Sequence, residues 1–94
     1  MPGEDSRERL ALPAVMDLAA AGPLLSELRA RRGGALTLDG SEVHRVGGLC
    51  LQVLLAADAA WREDGRELRI EASEALASGL KDLGAAHLAA EAAA

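Results

Sequence analysis

The chain has 94 residues, half of them apolar, with 15 acids against 10 bases and a formal charge of −5. That length holds one hydrophobic core and excludes a second, and the balance of apolar to charged residues is that of a folded domain rather than a disordered chain. The acidic balance gives no long-range attraction to nucleic acid or to an anionic membrane surface, and a lone cysteine excludes an internal disulfide and a multi-cysteine zinc site.

The elements follow in chain order. Residues 1–8 read as a polar, flexible lead-in, with the acidic character opposite to that of a signal peptide. Residues 9–90 form the predicted domain and 91–94 a tail. Arg9–Leu12 alternates, with Leu10 and Leu12 on one face, and reads as a strand stopped by Pro13; Ala14–Met16 admits a further extended stretch. A helix is predicted over Ala20–Arg32, with Ala21, Leu24, Leu25 and Leu28 as its apolar face and Pro23 in its first turn. Arg29, Arg31 and Arg32 suit a helix C-terminus, and Gly33–Gly34 end it.

Ala35–Asp39 reads as a second strand, Gly40–Glu42 as a turn, and Val43–Val46 as extended chain or loop. Gly47–Gly48 then opens a long helix, Leu49 to about Glu63, apolar around most of its circumference and therefore covered on more than one side. Its run to Trp61, broken by Gln52 and Asp58, falls short of the roughly 20 residues that span a bilayer. Together with the polar N-terminus, this leads to the expectation of a cytoplasmic protein without membrane insertion. Asp64–Gly65 is a turn, and Glu67–Glu71 is a strand with Leu68 and Ile70 inward. Ser73 caps a third helix carrying Leu76, Leu80 and Leu83, Gly84 is its C′ residue, and Ala85–Leu88 suits an edge strand or a short helical turn. The order β, α, β, α, β, α predicts a short, mainly parallel sheet with helices packed mostly on one face and the other face thinly covered. With no Phe or Tyr, the core is expected to consist of Leu, Val, Ile and Ala, and to be thin because Ala buries little area.

Little in this pattern suggests catalysis. His44 and His87 are far apart in sequence, and Cys50 sits in an apolar helical run as a small buried hydrophobe would. Gly47–Gly48 lacks the spacing of a phosphate-binding loop, and Lys81 is the only lysine. No catalytic residue, metal ligand or cofactor site is expected.

The informative stretch is Leu36–Leu55: a strand ending in an acid, a polar turn, and a glycine pair that launches an apolar helix. It resembles the STAS domain, the fold of bacterial anti-sigma-factor antagonists and of the STAS subunit of phospholipid-transport ABC systems. The family pattern Asp-x-Ser-x-Val is met by Asp39, Ser41 and Val43. The later Asp-Ser/Thr-x-Gly-Leu is met only at its end, by Gly48–Leu49 or by Leu51 alone. Leu68–Ile70, Ser73 and Leu83–Gly84 follow in family order, so the likeness covers Leu10 to Leu88. The string from Val43 to Trp61, with the later Asp64–Ile70 and Lys81–Leu88, is similar to short STAS proteins encoded with chemotaxis kinases in some alphaproteobacteria.

The resemblance implies a non-enzymatic interaction module that regulates a bacterial signalling complex such as a chemotaxis kinase; the alternative is the auxiliary subunit of a phospholipid transporter. The protein partner is then a signalling kinase or a transporter subunit. In antagonists of this family a partner kinase phosphorylates the hydroxyl of the second pattern. Here that position falls on Val46 or on Gly48, depending on which end anchors the count, and neither carries a hydroxyl. Ser41 is the nearest alternative acceptor, although a turn residue bonding locally is its ordinary role. The expected partner surface comprises Glu42, His44, Arg45, Gly47, Gly48 and Gln52: both charge signs beside a backbone that two glycines leave open.

Overall fold

The computed structural model describes residues 8–89; the predicted tail, 91–94, and all but the last residue of the predicted lead-in lie outside the described residues. Its elements are β1 (Glu8–Ala11), β2 (Val15–Met16), α1 (Leu18–Ala30), β3 (Leu36–Gly40), β4 (Arg45–Val46), α2 (Gly48–Glu63), β5 (Leu68–Ala72), α3 (Glu74–Asp82) and a 3-10 turn (Ala86–Ala89). The strands β1, β3 and β5 form one parallel sheet with β3 in the middle. The register aligns Leu10, Leu38 and Ile70 across it. A second, two-stranded parallel pairing joins β2 to β4, with Val15 opposite Arg45 and Met16 opposite Val46. The predicted alternation of strands and helices is present, and the two extended stretches at Ala14–Met16 and Val43–Val46 turn out to be each other's partners.

Period-2 alternation decides which face of the sheet is buried. Leu36 and Leu38 are fully covered by the helical layer and Ile70 is 1% exposed. The opposite face carries Arg9, Thr37 and Arg69 in one row and Ala11, Asp39 and Glu71 in the next. There the Arg9 guanidinium crosses β3, donating to Glu71 Oε1 at 2.7 Å and lying 3.6 Å from Asp39 Oδ2. Polar side chains thus close the face that helices leave open, tying the two edge strands through the central one.

Three sequence expectations need correction. The first helix begins at Leu18, not Ala20, because the Asp17 carboxylate caps it, accepting from the Ala20 N–H at 3.3 Å. Pro23 therefore sits inside the helix, beyond the first turn. Leu25 and Leu83 are not core residues: they are 36% and 38% exposed. The stripe Ala21, Leu24, Leu28 carries the burial of α1, leaving Leu25 on its border, and Leu83 is the C-cap of α3, where the chain leaves the helix. Finally, the core is not aliphatic alone, because Trp61 (1% exposed) and Met16 (0%) lie in it. Gly84 does close α3 as expected: at φ +79°, it and Ala85 donate to the Lys81 and Leu80 carbonyls at 2.9 and 2.7 Å.

Surface ion pairs set the acid sensitivity. The Arg9 hydrogen bonds hold the Glu71 carboxyl below its ordinary range, and the Arg32 fork does the same to Asp64. Asp39 is lowered first by the Ser41 hydroxyl and then by the Ser41 N–H. Folded values below the unfolded ones, which lie near about 4, mean that the unfolded chain binds more protons in acid. This stabilisation is therefore present above about pH 5 and is lost as pH falls through the depressed folded values. We expect the urea midpoint to hold from pH 7 to 5 and to decline below, less steeply in Arg9→Met. A midpoint level down to about pH 3 would contradict these pairings. The effect is modest, because all three carboxylates face solvent.

Candidate functional site

The predicted partner surface lies at the carboxyl ends of the parallel strands, the end where sites in such sheets collect. β3 ends at Gly40, whose carbonyl accepts from Val43 N–H at 3.1 Å and from Ser73 N–H at 3.2 Å. No Cβ fits at Gly40: it would lie 2.6 Å from Leu76 Cδ2 and 3.1 Å from the Glu71 carbonyl. A tight turn thus leaves β3 against α3. Within it Ser41 donates twice to Asp39 Oδ1, from its N–H at 3.1 Å and from its hydroxyl at 2.7 Å. Val43, 2% exposed, plugs the loop into the core, and the Ser73 hydroxyl donates to its carbonyl while accepting from Leu76 N–H.

From there the chain runs along β2. His44 and Arg45 donate to the Ala14 carbonyl at 2.9 and 3.3 Å, and Gly47 to that of Met16 at 2.8 Å. Gly47 caps α2 without a side-chain hydrogen bond, and Gly48 is its first residue. The start of α1 lies alongside, because the Cys50 thiol donates to the Asp17 carbonyl at 3.3 Å. Burial pushes the Cys50 thiol up, as befits a packing residue rather than a nucleophile. Open space surrounds the position a Cβ would take on Gly48, so no internal contact requires a glycine there.

Ser41, Glu42, His44, Arg45, Gly47, Gly48 and Gln52 are all exposed, and the loop and the first turns of α2 bring them to this one end. Ser41 belongs to the turn and bonds Asp39, not the helix start. A phosphoryl group there would replace the donated proton with negative charge beside an ionised carboxylate. Gly47 caps α2 and Gly48 is its first residue, while Val46 lies in β4; neither way of counting the family pattern puts a hydroxyl at the helix start.

Sequence reasoning missed the apolar members of this end. Leu18 is 77% exposed, Leu49 51% and Val15 37%. They come from three elements, β2 and the first turns of α1 and α2, that the β2–β4 pairing and the Cys50–Asp17 contact bring side by side. The apolar character of Leu18 and Leu49 was legible in the sequence; that the two helix starts adjoin was not. Among the described residues no group of three or more His, Cys, Asp and Glu could hold a metal ion. His87 sits apart, on the 3-10 turn that follows α3.

A protein-family model described as Mlab, STAS domain, matches residues 2–90. No curated protein and no solved structure matches the chain. Among the described residues no helix is long and apolar enough to cross a membrane.

Proposed function

Because the chain belongs to the Mlab-type STAS domain family, whose members are protein-interaction modules, we propose that it is a non-catalytic regulator. It docks on a protein partner through Glu42, His44, Arg45, Gly47, Gly48 and Gln52, with Leu18 and Leu49 as apolar anchors. The observation that carries this reading is the open surface at Gly48. A helix start with nothing above its backbone, flanked by exposed leucines and by side chains of both charges, suits close approach by a folded partner.

The first partner class is a signalling kinase or switch protein in a bacterial complex of the chemotaxis type. Without a hydroxyl at the start of α2, such docking is not released by phosphorylation at that point, and Ser41 is the one acceptor the loop offers. A second reading is the auxiliary subunit of a phospholipid-transport ABC system, which the loop and the leucine-rich α2 resemble and which the missing hydroxyl at the start of α2 weakens. Either role places the protein in the cytoplasm.

Affinity capture from the native cytosol supplies the partner, and calorimetry tests the surface. Arg45→Glu is expected to weaken binding about tenfold, or about 1.4 kcal/mol, with a slower, salt-sensitive association. Gly48→Leu should abolish binding by filling the open space. Circular dichroism of both variants should remain that of the wild type. Full affinity in Arg45→Glu and Gly48→Leu would move the interface elsewhere. Phosphate mapped to Ser41 in intact protein, with altered affinity, would favour the kinase reading over the transporter one.

A further inference from the structure

The joint between α1 and α2 is not sealed. A groove of about 180 Å³ runs along it, lined by Leu25 and Arg29 from α1 and by Val53, Ala56, Ala60 and Trp61 from α2. It is smaller than the roughly 300–1,000 Å³ of pockets for drug-sized ligands, a scale that suits side chains presented by a protein. Ala56 and Ala60, one turn apart, keep one wall low enough for another helix to approach closely.

The groove has a direction. Both helices return from the carboxyl end of one parallel strand to the amino end of the next, so they run the same way. Their starts are joined by Cys50 and Asp17, and their ends by the Arg32–Asp64 fork at 2.7 and 3.0 Å. Leu18 and Leu49 stand exposed at the starting end. At the far end is Arg29, for which the described residues offer no ion pair. The stretch of α1 from Leu18 to Arg29 rises about 16 Å, roughly three turns of a guest helix. At that end Arg32 is paired with Asp64 and lies near Glu63, which leaves Arg29 as the cation there without a partner among the described residues.

We propose that the α1–α2 groove receives an amphipathic helix of the protein partner, with its apolar stripe on Leu25, Val53, Ala56 and Ala60 and its acidic first turn on Arg29. Acids in a helix's first turn stabilise that helix's own dipole, so the carboxylates that Arg29 selects also stabilise the guest. They further set its direction, antiparallel to α1 and α2. A second copy of this chain is a poorer occupant. Neither α1 nor α2 has an acid in its first turn, and α3, which does, is packed on the core through Leu76 and Leu80. The inference rests on the reading of the chain as a protein-docking module and adds the chemistry of the docked element.

The test uses a designed peptide of about 14 residues, long enough to fill the track, with leucines at helical spacing and glutamates in its first turn. A second peptide carries lysines in their place. Trp61, the only tryptophan, lines the groove and reports occupancy through its emission. We expect a saturable emission change and an affinity for the acidic peptide at least about tenfold above that for the basic one. Arg29→Glu should reverse that preference. Ala56→Glu, at an exposed position in the groove, should abolish binding with circular dichroism unchanged. Arg45→Glu, on the loop surface, should leave peptide binding intact, so that failure of the loop reading and failure of the groove reading are told apart. The proposal is overturned by equal affinity for both peptides, by no emission change up to about 1 mM peptide, or by undiminished binding in Ala56→Glu. Sedimentation showing that the wild type self-associates while Ala56→Glu is monomeric would assign the groove to a second copy instead.

Discussion

Replacing Trp61 by alanine is expected to cost about 3–5 kcal/mol, about a fifth or more of the roughly 5–14 kcal/mol available to a chain of this length. The indole is 1% exposed, and its Nε1–H donates to the Gly34 carbonyl at 2.8 Å. It therefore fills the far end of the core and also anchors the connection between α1 and β3. Truncation leaves a cavity and an unpaired carbonyl together. Trp61→Phe separates the two: it keeps most of the volume and removes the donor, so a smaller loss, about 1–2 kcal/mol, is expected. Urea unfolding followed by far-ultraviolet circular dichroism measures both, since neither variant retains an indole. Equal losses would show that the hydrogen bond, not the packing, accounts for the stability at this position.

Leu54→Ala is the second large effect, at about 2–5 kcal/mol. Leu54 is 0% exposed at the middle of α2, the helix with the most buried side chains, and cannot collapse onto solvent. A fall in melting temperature of at least about 8 °C follows for a domain of this size. Leu80, also 0% exposed, belongs to a shorter helix and should respond similarly but less strongly. Leu25→Ala, at 36% exposure, should cost far less, although its side chain occupies an equivalent place in the helical pattern. A Leu54→Ala midpoint indistinguishable from the wild type would refute the placement of α2.

Leu24 and Leu25 show how far the sequence could be read. Both fit the periodicity of α1; the fold buries Leu24 on the side of Leu10–Leu12 and leaves Leu25 at the rim of the groove beside α2. Trp61 is a similar case. Its place at the end of an apolar run was visible, but its partner, Gly34, is 27 residues away. The candidate site divides in the same way. Its loop residues could be named from the glycines and the family pattern, while Leu18 and Leu49 entered only once the two helix starts were seen side by side.

What the sequence determined by itself is what short-range physics controls. Alternation at Leu36–Asp39 and Leu68–Ile70 makes strands, the Ser73 cap and Gly84 at positive φ bound α3, and the chain's length and composition allow one core. These depend on neighbours a few residues apart, and neighbours are what a sequence displays. The tertiary structure alone decided the pairing of β2 with β4, the meeting of the α1 and α2 starts through Asp17 and Cys50, and the Arg9 bridge across β3 to Glu71, 62 residues away. It also set the polarity of the groove that ends at Arg29. Each of these depends on which distant segments pack together. That choice is made by the burial of the whole core at once, so no local pattern records it.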